Sequence, residues 1–191
     1  MNIVELFPTL LYIENLNTLF GKYNEIYYKK ALEYRDAYPC KRKWACYTTI
    51  GSVNIFEEEL FKRIISTCTE KVQLYSNYYN NKRNVVCKDA WINVNKPGDS
   101  QEFHVHPTLI FSAVYYIKTN ENSGMIEFMK PSGFLEEKLS DCKYSKYNSN
   151  RENYNPNEGD LIIFRSNLPH RVMTNISDEN RVSLAMNFIL K

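Results

Sequence analysis

At Asn84 the hydrophobic pattern of this 191-residue chain changes period, and that change limits the folds open to it. Before it, apolar side chains recur at helical spacing. Leu16, Leu19, Phe20, Tyr23, Ile26, Tyr27, Ala31 and Tyr34 follow the i, i+3, i+4, i+7 template of an amphipathic helix that must end before Pro39. A second stripe, running from Phe56 through Phe61, Ile64, Cys68 and Val72 to Tyr79, predicts one long helix over 55–79. Asn54, with Glu57 three residues later, reads as the capping box of that helix. Segments 3–7 and 10–13, broken at Pro8, read as two short strands. After Asn84 the chain reads as strands at 85–95, 102–106, 109–118, 125–129, 160–164, 169–174 and 180–190. Turn-forming residues at 96–99, 120–124, 131–133 and 157–160 separate them, and the polar stretch 134–156 reads as a long loop. Many short strands behind two helices predict an α+β, mainly β chain: an antiparallel sandwich or barrel, with the helices covering one face.

The three histidines fall in two of these strands. His104 and His106 are two residues apart, a spacing that puts both side chains on one face of an extended strand. His170 lies in a later strand, inside GDLIIFRSNLPHRV. A lone strand histidine is more often a hydrogen-bonded structural residue than a ligand. Here every histidine sits where the three can converge, and three neutral imidazoles make a transition-metal site with open positions. Glu102, two residues before His104 on the same face, is a fallback carboxylate ligand.

The last strand adds a second polar set. Alternation puts Arg181, Ser183, Ala185 and Asn187 on one face and Val182, Leu184, Met186 and Phe188 on the other. The second set is a core face for the helices. The first aims a guanidinium and a hydroxyl inward, where a guanidinium fork matches a carboxylate bidentately. An inward arginine needs an anionic partner, either an internal Asp or Glu or a bound ligand. Tyr116 shares a face with Ser112 and Val114, and its phenol is either core or a donor to the same carboxylate.

Five segments, WINVNKPGDSQEFHVHP, SAVYYIK, SGMIEFMKP, EGDLIIFRSNLPHRV and NRVSLAMNF, follow one another at a characteristic spacing over roughly residues 85–190. In that order they resemble the iron- and 2-oxoglutarate-dependent oxygenases of the prolyl-hydroxylase type, most closely the bacterial and phage-encoded 2-oxoglutarate/Fe(II) oxygenases. The resemblance implies a double-stranded β-helix (jelly-roll or cupin-like) core at 85–191, with the strands and helices of 1–84 packed on one sheet, all in a single domain 1–191. It implies Fe2+ as the metal, with His104 and His170 matching the two metal histidines. Arg181 matches the arginine that grips the far carboxylate of the cosubstrate 2-oxoglutarate, and Ser183 and Tyr116 match positions that support it. His106 departs from the pattern, standing where these enzymes have an aspartate, and a third imidazole in that place leaves the site's formal charge at +2 rather than +1. The implied activity is a dioxygenase, a hydroxylase coupling decarboxylation of 2-oxoglutarate to succinate with oxidation of a protein side chain or a small molecule. The 96–101 turn and 134–156 are expected to touch that substrate. A cupin-like three-histidine metalloprotein holding Zn2+ or Fe2+ without 2-oxoglutarate, or a barrel with no catalysis, is the alternative.

Charge excludes other classes. With 24 basic and 22 acidic residues the net charge is +2, which gives no reason to expect nucleic-acid or membrane binding. No apolar run approaches the length that spans a bilayer, the first residues lack the pattern of a secretory leader, and the five cysteines show no C-x-x-C spacing. A cytoplasmic protein with reduced thiols is expected.

Overall fold

The period change at Asn84 divides two helices from most of the strands. The computed structural model describes residues 2–5, 7–41, 44–131, 143 and 145–191. Strand β1 (Tyr12–Asn15) leads into helix α1 (Asn17–Ala37), and a short β2 (Tyr47–Thr48) and a 3-10 helix (Ile55–Glu57) precede helix α2 (Glu59–Asn77). The strands β3 (Val85–Asn95), β4 (Gln101–His104), β5 (Phe111–Lys118), β6 (Ile126–Met129), β7 (Arg151–Tyr154), β8 (Asp160–Arg165), β9 (His170–Val172) and β10 (Arg181–Leu190) follow. They form two antiparallel sheets, a six-stranded one in the order β1-β8-β5-β10-β3-β2 and a four-stranded one in the order β4-β9-β6-β7. Among the described residues the chain is mainly β, with two α-helices, as expected.

The helices cover one face of the larger sheet. Val182, Leu184, Met186 and Phe188 of β10 share a buried core with Phe20, Tyr27, Phe61, Ile64 and Cys68 of the helices, so the alternation read from β10 holds. Tyr27 stacks on Phe61 with centroids 5.2 Å apart, and the buried Tyr115 hydroxyl donates to Asn24 Oδ1 at 2.7 Å, tying α1 to β5. The opposite face of the sheet packs a second, smaller core on the four-stranded sheet: Tyr116, Ile162 and Phe164 against Ile126 and Phe128. The site lies on this side.

Three local expectations are corrected. The helix predicted over 55–79 is broken at Glu58, whose backbone is extended. Ile55 is fully buried while Phe56 is exposed. In an unbroken helix Ile55 and Phe61 would point about 120° apart, and the break lets both reach one core. Asn54 therefore caps the 3-10 turn, accepting from the Phe56 N–H at 3.3 Å and donating to Glu57 at 2.9 Å. At the N-terminus, the described residues before Tyr12 join no sheet: Ile3, Val4 and Phe7 are exposed, and the strand starts only where β8 offers a partner. Strand 102–106 ends at His104. β2 and β7 were not expected. β7 lies in the 134–156 stretch, of which 134–142 and 144 fall outside the described residues.

One glycine is fixed by a close approach. Gly124 has φ +93°, and a Cβ there would lie 2.2 Å from the Met173 carbonyl oxygen, just past β9. Gly124→Ala combines a left-handed backbone with a backbone clash, so a loss of more than about 2 kcal/mol is expected in urea unfolding. A loss below about 0.5 kcal/mol would show that the two segments separate freely. Among the described residues no helix is long and apolar enough to cross a membrane.

Candidate metal centre

Antiparallel pairing brings the histidines together. His104 on β4 sits directly opposite His170 on β9, and their ring centroids are 4.3 Å apart. His106 follows the end of β4, its backbone N–H held by the Ser166 carbonyl at 2.9 Å. Its ring lies 5.1 Å from that of His104 and 5.2 Å from that of His170. One nitrogen from each ring falls within 4.8 Å of the others, and among the described residues this is the only such group of potential metal-binding side chains. It includes no carboxylate: Glu102 lines the outer cleft, and its backbone oxygen accepts from His104 Nδ1 at 2.8 Å. His170 Nδ1 meets the Leu168 carbonyl at 2.9 Å. A carbonyl can only accept, so both rings carry their proton on Nδ1 and leave the Nε2 lone pair for an ion.

Apolar walls keep His170 and His106 neutral. Phe164 and Phe128 pack on His170, with centroids 4.6 and 6.3 Å away, and Trp91 packs on His106 at 5.9 Å. Burial, reinforced by the neighbouring His104, pushes His170 down to about 3 and His106 down to about 4. Their ordinary value, 6.5, applies to the unfolded chain. Between 6.5 and those lowered values the unfolded chain binds more protons than the folded one, so stability falls as pH falls. The urea midpoint of the metal-free protein is expected to be lower at pH 5 than at pH 7. An unchanged midpoint would mean that the rings are not buried as described.

Behind the histidines lies a chamber between the sheets, and register explains its lining. On β10, Arg181, Ser183 and Ala185 stand opposite Asn95, Asn93 and Trp91 of β3, and Ser183 and Asn187 stand opposite Tyr116 and Ser112 of β5. Arg181, Ser183, Asn93, Trp91, Tyr116 and the three histidines line one cavity. Arg181 is 1% exposed, yet its one hydrogen bond among the described residues is a long one, 3.4 Å to Asn95 Oδ1, and it has no ion pair there. The buried acids are engaged elsewhere: Glu127 with Arg171 and Arg151, Asp160 with Tyr154 and Asn15. The internal-acid alternative for Arg181 therefore fails among the described residues. Trp91 Nε1, Asn93 Oδ1, Tyr116 Oη and Arg181 Nε are all buried without a hydrogen-bond partner among the described residues. A buried polar group left unpaired costs about 1–3 kcal/mol, so this lining is built for a polar guest. Burial pushes the Tyr116 phenol up, against the opposing pull of Arg181, and keeps it a donor. Three of the four orphaned atoms are donors, which suits an anion.

Trp91, Asn93 and Asn95 escaped the sequence reading. Alternation along WINVN, applied as it was to the last strand, puts Trp91, Asn93 and Asn95 on one inward face. Beside the chamber a wider cleft of about 340 Å³ opens on His104, lined by Trp44, Ser100, Gln101, Glu102 and Arg171 among others.

Two antiparallel sheets enclosing three imidazoles and an unsatisfied guanidinium describe a β-sheet metalloenzyme that takes an anionic ligand. A family model described as "Putative 2OG-Fe(II) oxygenase" matches residues 89–187, just over half of the chain, and that span holds all three histidines, Tyr116, Arg181 and Ser183. The chain belongs to this family: it is an oxidoreductase that uses Fe2+ and 2-oxoglutarate. No curated protein matches its sequence. Its fold is similar to that of a Pseudomonas putida prolyl-4-hydroxylase, at 14% identity and a TM-score of 0.62, over 96% of this chain and 94% of that one. It is similar also to a Trichoplax adhaerens prolyl hydroxylase solved with a hypoxia inducible factor peptide fragment, at 12% identity and a TM-score of 0.66, over 94% and 83% of the two chains. A third similar fold is the epimerase SnoN in complex with Fe3+, alpha ketoglutarate and nogalamycin RO, at 10% identity and a TM-score of 0.69, over 95% and 79%.

Proposed function

We propose that His104, His106 and His170 hold Fe2+ at the mouth of a double-stranded β-helix, and that Arg181, Ser183 and Tyr116 receive the far carboxylate of 2-oxoglutarate, so that the protein hydroxylates a substrate lodged in the cleft beside His104. The observation that carries this reading is the set of orphaned buried groups behind the histidines. Arg181 Nε–H and the Tyr116 hydroxyl are donors with no acceptor among the described residues, and a carboxylate supplies what both lack.

When bound, iron and 2-oxoglutarate supply the oxidising chemistry, in which dioxygen gives one oxygen atom to the succinate formed with CO2 and the other to the substrate. The chain's own residues do the rest. Arg181 neutralises and orients the cosubstrate from a position that β3 and β5 hold on either side. The carbonyls of Glu102 and Leu168 fix the tautomers of His104 and His170. Phe128, Phe164 and Trp91 wall the imidazoles and keep bulk water from the reacting atoms. The chamber is narrow, about 30 Å³, so side chains lining it move outward as 2-oxoglutarate enters. Residues 1–191 act as one domain, with 1–84 bracing the core at 85–191.

Substrate contacts fall to Ser100 and Gln101 at the end of the 96–101 turn and to Trp44 opposite, all of which line the cleft. The substrate is a protein side chain or a small molecule. The test is iron-dependent conversion of 2-oxoglutarate to succinate, together with a search for products 16 Da heavier in peptide and metabolite mixtures. Succinate formation that requires Fe2+ supports the reading. Metal binding with no succinate under any mixture would favour a three-histidine site that does not use 2-oxoglutarate.

A further inference from the structure

His106 differs from its two companions in what holds its ring. His104 and His170 each face a backbone carbonyl, which fixes the proton on Nδ1. His106 Nδ1 instead faces the side-chain amide of Asn187, with Nδ2 at 3.5 Å. That amide ends a buried row: Ser112 Oγ donates to Asn187 Oδ1 at 2.8 Å and meets Ser166 Oγ at 2.9 Å. Asn187 is 4% exposed, Ser112 3% and Ser166 0%, so water does not compete for these groups.

The direction of the row decides which nitrogen of His106 carries the proton. As the amide stands, its NH2 faces Nδ1, which must then accept, and the proton sits on Nε2. That tautomer has no Nε2 lone pair for an ion. Turned by 180°, the amide presents Oδ1 to an Nδ1–H and Nδ2 to Ser112 Oγ. Nothing opposes the turn: a serine hydroxyl accepts as well as it donates, and either serine can be the donor of the Ser112–Ser166 pair.

We infer that Asn187 is a positioning residue whose amide orientation selects the tautomer of His106, so that metal uptake is coupled to a turn of the Asn187 side chain. This rests on His106 being a metal ligand, as proposed above. A carbonyl in the place of Asn187 could only accept, whereas an amide reads both states.

The test uses Zn2+ as the metal probe and 15N-histidine NMR of the full chain as the readout. In metal-free protein His106 is expected to show the Nε2–H tautomer and His104 and His170 the Nδ1–H tautomer. On Zn2+ addition all three are expected to show Nδ1–H. Asn187→Leu removes the acceptor and is expected to weaken Co2+ binding, followed by its visible spectrum, about 10- to 100-fold. Asn187→Asp, an acceptor in either orientation, is expected to keep parental affinity and to hold His106 as Nδ1–H even without metal. Unshifted His104 and His170 tautomer signals in the metal-free variants show that the fold is intact. If His106 is already Nδ1–H without metal, or if Asn187→Leu binds Co2+ as the parent does, the inference is wrong. If Zn2+ perturbs none of the three histidines, the metal-site reading itself has failed, a different outcome from the first two.

Discussion

Arg181→Met is expected to remove 2-oxoglutarate binding while leaving the metal-free protein at least as stable as the parent. The two halves of this result come from one cause. Arg181 is fully buried, and among the described residues it has no carboxylate beside it and one long side-chain hydrogen bond, to Asn95. A buried charge without a counter-charge opposes folding, and replacing buried ionic groups by apolar ones of similar volume is often neutral or stabilising. Methionine fills a comparable space over the Tyr116 ring, where the guanidinium carbon now sits 4.9 Å from the centroid. The unfolding midpoint of the ligand-free variant should therefore match or exceed that of the parent. Cosubstrate binding should collapse: two charge-assisted hydrogen bonds at about 1.5–3 kcal/mol each amount to at least a hundredfold in Kd. Calorimetric titration in the presence of a non-reacting divalent metal reads the second effect and thermal unfolding the first. Equal affinity would place the anchor elsewhere. A large loss of stability would mean that the guanidinium serves the fold.

The second large effect concerns His106. His106→Ala should cost at least a hundredfold in metal affinity, because His104 and His170 alone offer two ligands where the site offers three. His106→Asp should restore binding, since it installs the aspartate that the H-x-D pattern of the resembling enzymes carries, and it lowers the formal charge of the loaded site from +2 to +1. The comparison separates lost coordination from lost packing against Trp91, because aspartate does not replace the ring contact. If Ala and Asp bind metal as tightly as the parent, His106 is a wall of the site and not a ligand. If Asp fails where the parent succeeds, the surroundings are fitted to imidazole alone.

Much of this site was legible because strand alternation is a strict geometric rule. The inward set on β10 and the core set opposite follow from side chains pointing alternately to two faces, and the structure separates them as read. The meeting of His104 and His170 was expected but could not be derived from spacing, since strand pairing set it across more than sixty residues. The unpaired state of Arg181 depended on where Glu127 and Asp160 spend their charges, a tertiary fact. Helix periodicity misled at one point. It scores the spacing of apolar residues and not the direction of the core, so Phe56 was taken into a stripe from which the break at Glu58 excludes it. Strand β7 was lost in a polar stretch because Arg151–Tyr154 lies at the edge of its sheet with three exposed residues, and alternation has no apolar face to reveal there.

The proposed function requires Fe2+ and 2-oxoglutarate to meet between His104, His106, His170 and Arg181, and anaerobic titration of the protein with both, followed in the visible spectrum, tests that meeting directly. A weak charge-transfer band that needs the metal and the cosubstrate together, and that disappears in Arg181→Met and His106→Ala, is the predicted result. No band in the parent protein, with no succinate formed when air is admitted, would contradict it.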